Sequence, residues 1–197
     1  MFCLSENIEI LQYVAALALY DGCFSMRPRR YEVIIADMNR EFLEKICHDL
    51  KNIGISCGVY SSKRDKAYRL RIYGKDTVQQ LSKLAINLLR NPNDVLLAAA
   101  IDAEGNIGMY RNQPFRTRIV MKEGEKLNAV REALKKLGIN YKEYMHCRKR
   151  GQCSYKVIVI SGKEENMKIH TQVRFRHPDK QKKLSLLFNS YSKSLNP

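Results

Sequence analysis

Apolar residues recur at helical spacing in some stretches of the chain and alternate with polar residues in others. Helical spacing predicts helices at residues 9–21, 39–54, 76–89, 94–104, 125–137, 164–171 and 179–191. Alternation and β-branched content predict two strands within residues 23–38 and further strands at 55–62, 68–73, 106–110, 115–121, 141–147 and 154–161. The predicted fold class is therefore α+β, with an αββαββα unit that occurs twice.

Specific residues mark the predicted helix ends. Asn39 is expected to cap the second helix through its side chain. Gly54 and Gly138 are expected to end two helices, and Gly22 is expected to end the first one in a left-handed conformation.

The repetition extends from the pattern to the residues themselves. Four blocks recur in one order at offsets of 83 to 88 positions, pairing residues 21–22 with 104–105, 50–55 with 134–139, 68–75 with 155–163 and 89–92 with 175–178. A period this long is too large for a solenoid repeat. It predicts an internal duplication with pseudo-two-fold symmetry, with one subdomain at residues 1–92 and another at 93–197.

One apolar run in each half ends in an acid and a glycine: VAALALYDG at residues 14–22 and LAAAIDAEG at 97–105. Small residues such as Ala98, Ala99 and Ala103 allow helices to approach closely. Helices packed side by side would bring Asp21 and Glu104 together, and paired carboxylates favour a divalent cation such as Mg²⁺. An acid at one helix end is an ordinary polar terminus, but its equivalence in both halves favours metal-assisted phosphodiester hydrolysis.

Composition and charge limit the class of protein. The hydrophobic fraction of 45% and charged fraction of 28% are globular values. A net charge of +15 favours a polyanionic partner, and nucleic acid is the commonest. The sequence contains no targeting or membrane signal, which predicts a soluble, cytoplasmic protein without a membrane partner. Its six cysteines lack metal-site spacing and are expected to be reduced thiols.

Basic residues concentrate on the predicted strands and turns. Alternation places Arg69 and Arg71 on one strand face, with Leu70 and Ile72 on the other. A sheet with an apolar face under helices and a basic face outward can enter the DNA major groove. The predicted DNA-binding residues are Arg27, Arg29, Arg30, Lys63, Arg64, Lys66, Arg69, Arg71, Arg111, Arg116, Arg118, Arg148, Lys149, Arg150 and Lys156.

Both motifs and the duplicated layout resemble the LAGLIDADG homing endonucleases, in particular the compact archaeal, intron-encoded type that carries two motifs in one chain. The resemblance implies two four-stranded antiparallel sheets that form DNA-binding saddles, with helices on their opposite face. It also implies a monomer that cuts both strands of a long asymmetric target, leaving short 3′ overhangs, and thereby promotes intron homing.

The same resemblance implies the site residues. Asp21 and Glu104 would bind Mg²⁺ with help from the backbone carbonyls of Tyr20 and Ala103, while Mn²⁺ or Ca²⁺ would support binding and Ca²⁺ would not support cleavage. Members of the family also carry basic side chains near the metal. The matching catalytic candidates are Arg90, Arg176 and Lys122, with Asp37 as the approximate first-half counterpart of Lys122.

Two other functions remain open on the same fold. One is an RNA-binding maturase that assists folding of its host intron, and the other is a catalytically inactive DNA-binding regulator. Retention of both acids favours the endonuclease, because a protein that only binds needs no paired carboxylates.

Overall fold

The computed structural model describes residues 4–62, 65–110, 113–147 and 154–193. The chain divides into two compact units, Met1–Asn91 and Pro92–Pro197. Each contains one four-stranded antiparallel sheet and the helices that belong to it. None of the described helices is both long and apolar enough to cross a membrane.

The first unit has the strand order β1-β2-β4-β3. Its elements are α1 (Leu4–Asp21), β1 (Gly22–Arg27), β2 (Arg30–Asp37), α2 (Arg40–Asn52), β3 (Cys57–Ser61), β4 (Tyr68–Tyr73) and α3 (Lys75–Arg90). Helix α1 begins earlier than the sequence predicts and packs against α3.

The second unit repeats this topology with the strand order β5-β6-β8-β7. Its elements are α4 (Asp94–Glu104), β5 (Gly105–Tyr110), β6 (Gln113–Lys122), α5 (Glu125–Lys136), β7 (Lys142–His146), β8 (Tyr155–Ser161), α6 (Lys163–Gln172) and α7 (Pro178–Lys193). The predicted α+β fold with a duplicated αββαββα unit is confirmed, and α7 is an addition to the second copy.

Local sequence signals explain where several helices begin and end. The Asn39 side chain accepts a hydrogen bond from the backbone of Phe42 at 3.0 Å and so caps α2, as predicted. Asn93 caps α4 in the same way. Gly54 and Gly138 adopt φ values of +82° and +62° just after their helices, which confirms their predicted role.

Gly22 does not have the predicted left-handed conformation, because it is the first residue of strand β1. Its requirement is for space: a Cβ atom there would lie 2.6 Å from the carbonyl oxygen of Ile34. The equivalent Gly105 is similar, with a Cβ position only 2.4 Å from the carbonyl oxygen of Ile101. Both glycines therefore allow the backbone to turn sharply from helix into strand.

The core lies between one face of each sheet and the helices. Along α2 the buried residues follow the predicted helical stripe: Phe42, Leu43, Ile46, Cys47 and Leu50. The Ala-rich segments of the two motif helices are buried on all sides at residues 13–18 and 96–102. Complete burial explains why these two helices carry an apolar run instead of an amphipathic stripe.

One pair of cysteines differs from the expected reduced state. A disulfide joins Cys47 on α2 to Cys57 at the start of β3, with their Cα atoms 5.8 Å apart. The sequence shows two cysteines ten positions apart, and only the packing of α2 against β3 places them within bonding distance. Cys23 is a free thiol and is exposed.

Candidate active site and nucleic-acid interface

Each motif helix ends on its acid at one end of a sheet. Asp21 is the last residue of α1 and Glu104 is the last residue of α4. The glycine that follows each acid pairs with an inner strand, Gly22 with Ile35 and Gly105 with Ile119. The two units therefore place their acids at equivalent points relative to their own sheets.

The donor atoms at these helix ends suit a hard divalent cation. The last carbonyl groups of an α-helix have no partner within the helix, and carboxylate and carbonyl oxygens are the ligands of Mg²⁺. At the end of α4, the side-chain Nζ of Lys180 donates to the carbonyl oxygens of Ile101, at 2.7 Å, and of Asp102. This ammonium group indicates that the α4 terminus attracts positive charge. The residues present therefore fit a metal ion, although no group of three or more His, Cys, Asp or Glu side chains occurs in the described part of the chain.

A buried carboxylate organises the surroundings of Glu104. Asp102 is 1% exposed, and its Oδ2 accepts hydrogen bonds from the backbone nitrogens of Arg176, at 2.8 Å, and His177, at 3.3 Å. These contacts fix the α6–α7 connection beside the end of α4. The sequence analysis missed both Asp102 and Lys180 as contributors, since nothing in the motif indicates which later segment packs against it.

The three basic catalytic candidates occupy different places. Lys122 is exposed at the end of β6, three residues beyond Ile119, and thus at the same end of its sheet as Glu104. Arg176 lies next to α4 through its backbone contact with Asp102. Arg90 is the exposed last residue of α3 in the first unit.

The strand register corrects the proposed counterpart of Lys122. Because Gly22 pairs with Ile35 as Gly105 pairs with Ile119, the equivalent of Lys122 is Met38 and not Asp37. Asp37 lies on the opposite strand face, where its Oδ1 accepts a hydrogen bond from the backbone nitrogen of Asn39 at 2.6 Å. The first unit therefore has an apolar side chain where the second has a lysine.

The first sheet has one apolar face and one open basic face. On β4, Leu70 and Ile72 are fully buried, while Arg69 and Arg71 lie on the open face, as alternation predicts. Arg69 pairs with Asp65 at 2.7 Å. The predicted residues Arg27, Arg29, Arg30 and Lys66 are exposed at the hairpins of this sheet, and Arg29 has a φ of +67° in the β1–β2 turn.

Two tyrosines accompany the arginines on this open face. The guanidinium carbon of Arg71 lies 5.9 Å from the centroid of the Tyr60 ring. The Tyr73 hydroxyl donates to the Tyr60 hydroxyl at 3.3 Å. Burial, and then this hydrogen bond, raise the pKa of Tyr73 above its ordinary value of 10.0, so the phenol keeps its proton at neutral pH.

The second sheet carries its arginines on a different strand. The register equates Arg71 with Val159 and Arg69 with Val157, both on β8. Its own arginines, Arg116 and Arg118, lie on β6, with the buried Thr117 and Ile119 on the opposite face. We call each pair of alternating arginines an arginine ladder: β4 carries it in the first sheet and β6 in the second.

Lys156 lies on the other face of the second sheet from Arg118. Its Nζ is 3.6 Å from Glu143, which also accepts two hydrogen bonds from Arg131 at 2.8 and 2.9 Å. Arg131 lowers the pKa of the Glu143 carboxyl, and Glu143, followed by Glu123, raises the pKa of Arg131. The remaining predicted DNA-binding residues fall outside the described residues: Lys63, Arg64, Arg111, Arg148, Lys149 and Arg150.

Comparison with known proteins agrees with this architecture. Residues 93–174 match the family model described as a LAGLIDADG-like domain. No curated protein matches the chain. Among solved structures, I-DmoI in complex with DNA and Ca aligns with a TM-score of 0.62 and 20% identity over 84% of this chain and 90% of that one. Mesophilic variants of the homing endonuclease I-DmoI align with a TM-score of 0.59 and 20% identity over 85% and 97%.

A structure with another name shares the architecture. Full-length DUF199/WhiA from Thermatoga maritima aligns with a TM-score of 0.62 and 11% identity over 96% of this chain and 63% of that one. At these identities the likeness shows the fold alone. The chain has the LAGLIDADG fold.

Proposed function

We propose that this chain is a member of the LAGLIDADG homing endonuclease family and cuts double-stranded DNA at a specific site by metal-dependent hydrolysis. One observation carries the proposal: each unit ends its Ala-rich helix on an acid, Asp21 or Glu104, one residue before its sheet with a basic open face begins. Each unit thus supplies one carboxylate and one DNA-binding surface, which suits an enzyme that must hydrolyse two strands.

In this proposal Asp21 and Glu104 hold Mg²⁺ together with the backbone carbonyls of Tyr20 and Ala103. The bound ion would activate a water molecule and offset charge on the leaving oxygen. I-DmoI has been crystallised with DNA in the presence of Ca, Mn and Mg, which supports considering these ions here. We expect Mg²⁺ to support cleavage, Mn²⁺ and Ca²⁺ to support binding, and Ca²⁺ not to support cleavage.

The other residues bind and orient the DNA. Lys122, Arg176 and Arg90 would offset charge on the phosphates near the metal. The two open basic faces would contact the DNA on either side of the cut. Because their arginine ladders lie on different strands, a long asymmetric target is expected, cut by a monomer to leave short 3′ overhangs.

The test is cleavage of plasmids that carry a library of randomised sites, in the presence of Mg²⁺. The wild-type chain is expected to cut a subset of sites, and Asp21→Asn and Glu104→Gln are each expected to abolish cutting while binding persists. Glu44→Gln is the matched control, since Glu44 is an exposed acid that pairs with Arg40 on α2. Undiminished cutting by the two acid variants would exclude these carboxylates from the reaction.

A binding protein without nuclease activity is the second candidate, because DUF199/WhiA carries the same fold at 11% identity. Site-selective DNA binding without cutting in Mg²⁺ or Mn²⁺ would support that candidate. Preference for a structured intron RNA over duplex DNA, measured by competition, would support the maturase.

A further inference from the structure

A buried carboxylate lies on the basic open face of the first sheet. Glu32 is only 4% exposed, although alternation places it on the same face as Arg30 and Arg71. Its Oε1 accepts a hydrogen bond from Nε of Arg30 at 2.6 Å, and its Oε2 lies 3.7 Å from Nη1 of Arg71. One carboxylate thus contacts two arginines on two neighbouring strands.

Glu32 is poorly placed to increase DNA affinity or to read a base by itself. A negative charge beneath a phosphate-binding surface weakens attraction for DNA. A glutamate can accept a hydrogen bond from cytosine, but both oxygens of Glu32 face arginines and the side chain is buried. A buried ion pair is also weak evidence for a contribution to stability.

The geometry suits a positioning role. Arg30 is contacted through Nε, so its terminal nitrogens point away from the pair, and its side chain is 59% exposed. Arg71 is held by Glu32 on one side and by the ring of Tyr60 on the other. A guanidinium with a fixed plane loses less conformational freedom when it forms two parallel hydrogen bonds to guanine.

The second sheet lacks this arrangement at the equivalent positions. The strand register equates Glu32 with Arg116 and Arg71 with Val159. A carboxylate between two arginines in one copy is thus replaced by an arginine beside a valine in the other. The arrangement is specific to the first sheet, so its loss affects one half of a target only.

We infer that Glu32 is the specificity-positioning residue of the first sheet, fixing Arg30 and Arg71 to read guanines in one half of the DNA target. The inference rests on the proposed function, because it requires that this sheet contacts DNA. Glu32 acts through the two arginines and is not itself in contact with the bases.

The experiment is selection of bound sequences from a randomised duplex library by the full chain, comparing the wild type with Glu32→Gln. The variant removes the charge with little change in volume. Discrimination is expected to fall about tenfold at one or two base pairs of a single half-site, in line with the discrimination of one bidentate contact. Arg71→Lys, which keeps the charge but loses the fork, is expected to relax a position in the same half. Glu44→Gln removes a similar charge from an Arg–Glu pair on α2 and is expected to leave the profile unchanged.

The outcomes separate the inference from the proposed function. An unchanged profile for Glu32→Gln, or an equal loss across both halves, would overturn the positioning role while leaving DNA recognition intact. A wild-type chain that enriches no sequence would overturn the proposed function and this inference together. If Glu32→Gln does not fold, Glu32→Asp, which keeps the charge but shortens the reach, is expected to relax the same positions. Wild-type selectivity in Glu32→Asp would then overturn the inference.

Discussion

The carboxylate of Asp102 and the backbone nitrogen of Arg176 are joined by a 2.8 Å hydrogen bond between segments 74 residues apart in sequence. Because Asp102 also accepts from the next backbone nitrogen and is nearly inaccessible, it fixes the start of α7 against the end of α4. The stability of the second unit and the placement of Arg176 therefore depend on the same side chain.

Replacing Asp102 with Ala is expected to lower the free energy of unfolding by about 3 kcal/mol. Two backbone N–H groups would lose a charged acceptor, and hydrogen bonds to charged groups are each worth about 1.5–3 kcal/mol. Asp102→Asn keeps an acceptor oxygen and should cost less. Urea unfolding of both variants measures this difference, and a loss below about 0.5 kcal/mol for Asp102→Ala, typical of surface changes, would contradict the role.

The two glycines after the motif helices are expected to be intolerant of a methyl group. Gly22→Ala and Gly105→Ala would place Cβ at 2.6 and 2.4 Å from backbone carbonyl oxygens, which cannot move freely. Overpacking of this kind costs about 1–3 kcal/mol. Gly108→Ala is the control, since nothing lies within 4 Å of its added Cβ. Thermal unfolding should rank Gly108→Ala well above the other two, and equal melting temperatures would refute the close approach.

Acid is expected to weaken the second unit through Glu143. Arg131 lowers the pKa of this carboxyl below its ordinary value of 4.5, so its ion pair contributes fully above pH 4.5. That contribution disappears as the pH falls through the lowered pKa. Its size is about 1 kcal/mol, because both side chains are partly exposed. Urea unfolding between pH 6 and 3 should show a shallower decline for Arg131→Gln than for the wild type, and parallel curves would argue against the pair.

DNA affinity is expected to fall about tenfold or more over a fourfold rise in salt, because many phosphates are neutralised. Arg118→Gln should reduce the slope of log affinity against log salt by about one. Lys156→Gln should leave the slope unchanged, since Lys156 lies on the opposite face and pairs with Glu143. Fluorescence anisotropy with a labelled duplex measures both, and equal slopes for the two variants would contradict the assignment of faces.

Local patterns in the sequence were sufficient to predict the elements and the faces of their strands. The alternation of Arg69 and Arg71 with Leu70 and Ile72 predicts which face is buried, because side chains point to opposite sides at every residue. Asn39 and Gly54 mark the ends of α2 through capping and a left-handed turn. These features depend on neighbours in sequence, so they are visible without the fold.

Features that depend on cross-strand register could not be predicted in the same way. Matching blocks at a near-constant offset left a one-residue uncertainty, which is enough to exchange Asp37 for Met38 and reverse the strand face. Glu32 looked like one polar residue in an apolar strand until the register placed it between Arg30 and Arg71. The Cys47–Cys57 bond likewise depends on how α2 packs against β3.

The arginine ladders on β4 and β6 have a consequence for how the duplicated halves diverged. Neighbouring strands lie about 4.8 Å apart, so moving a ladder by one strand displaces its guanidinium groups by more than one base-pair rise of about 3.4 Å. The two copies would therefore not contact the same base pairs even on identical DNA. A few substitutions between two inner strands, with the backbone unchanged, are enough to make one ancestral binding surface into two different ones.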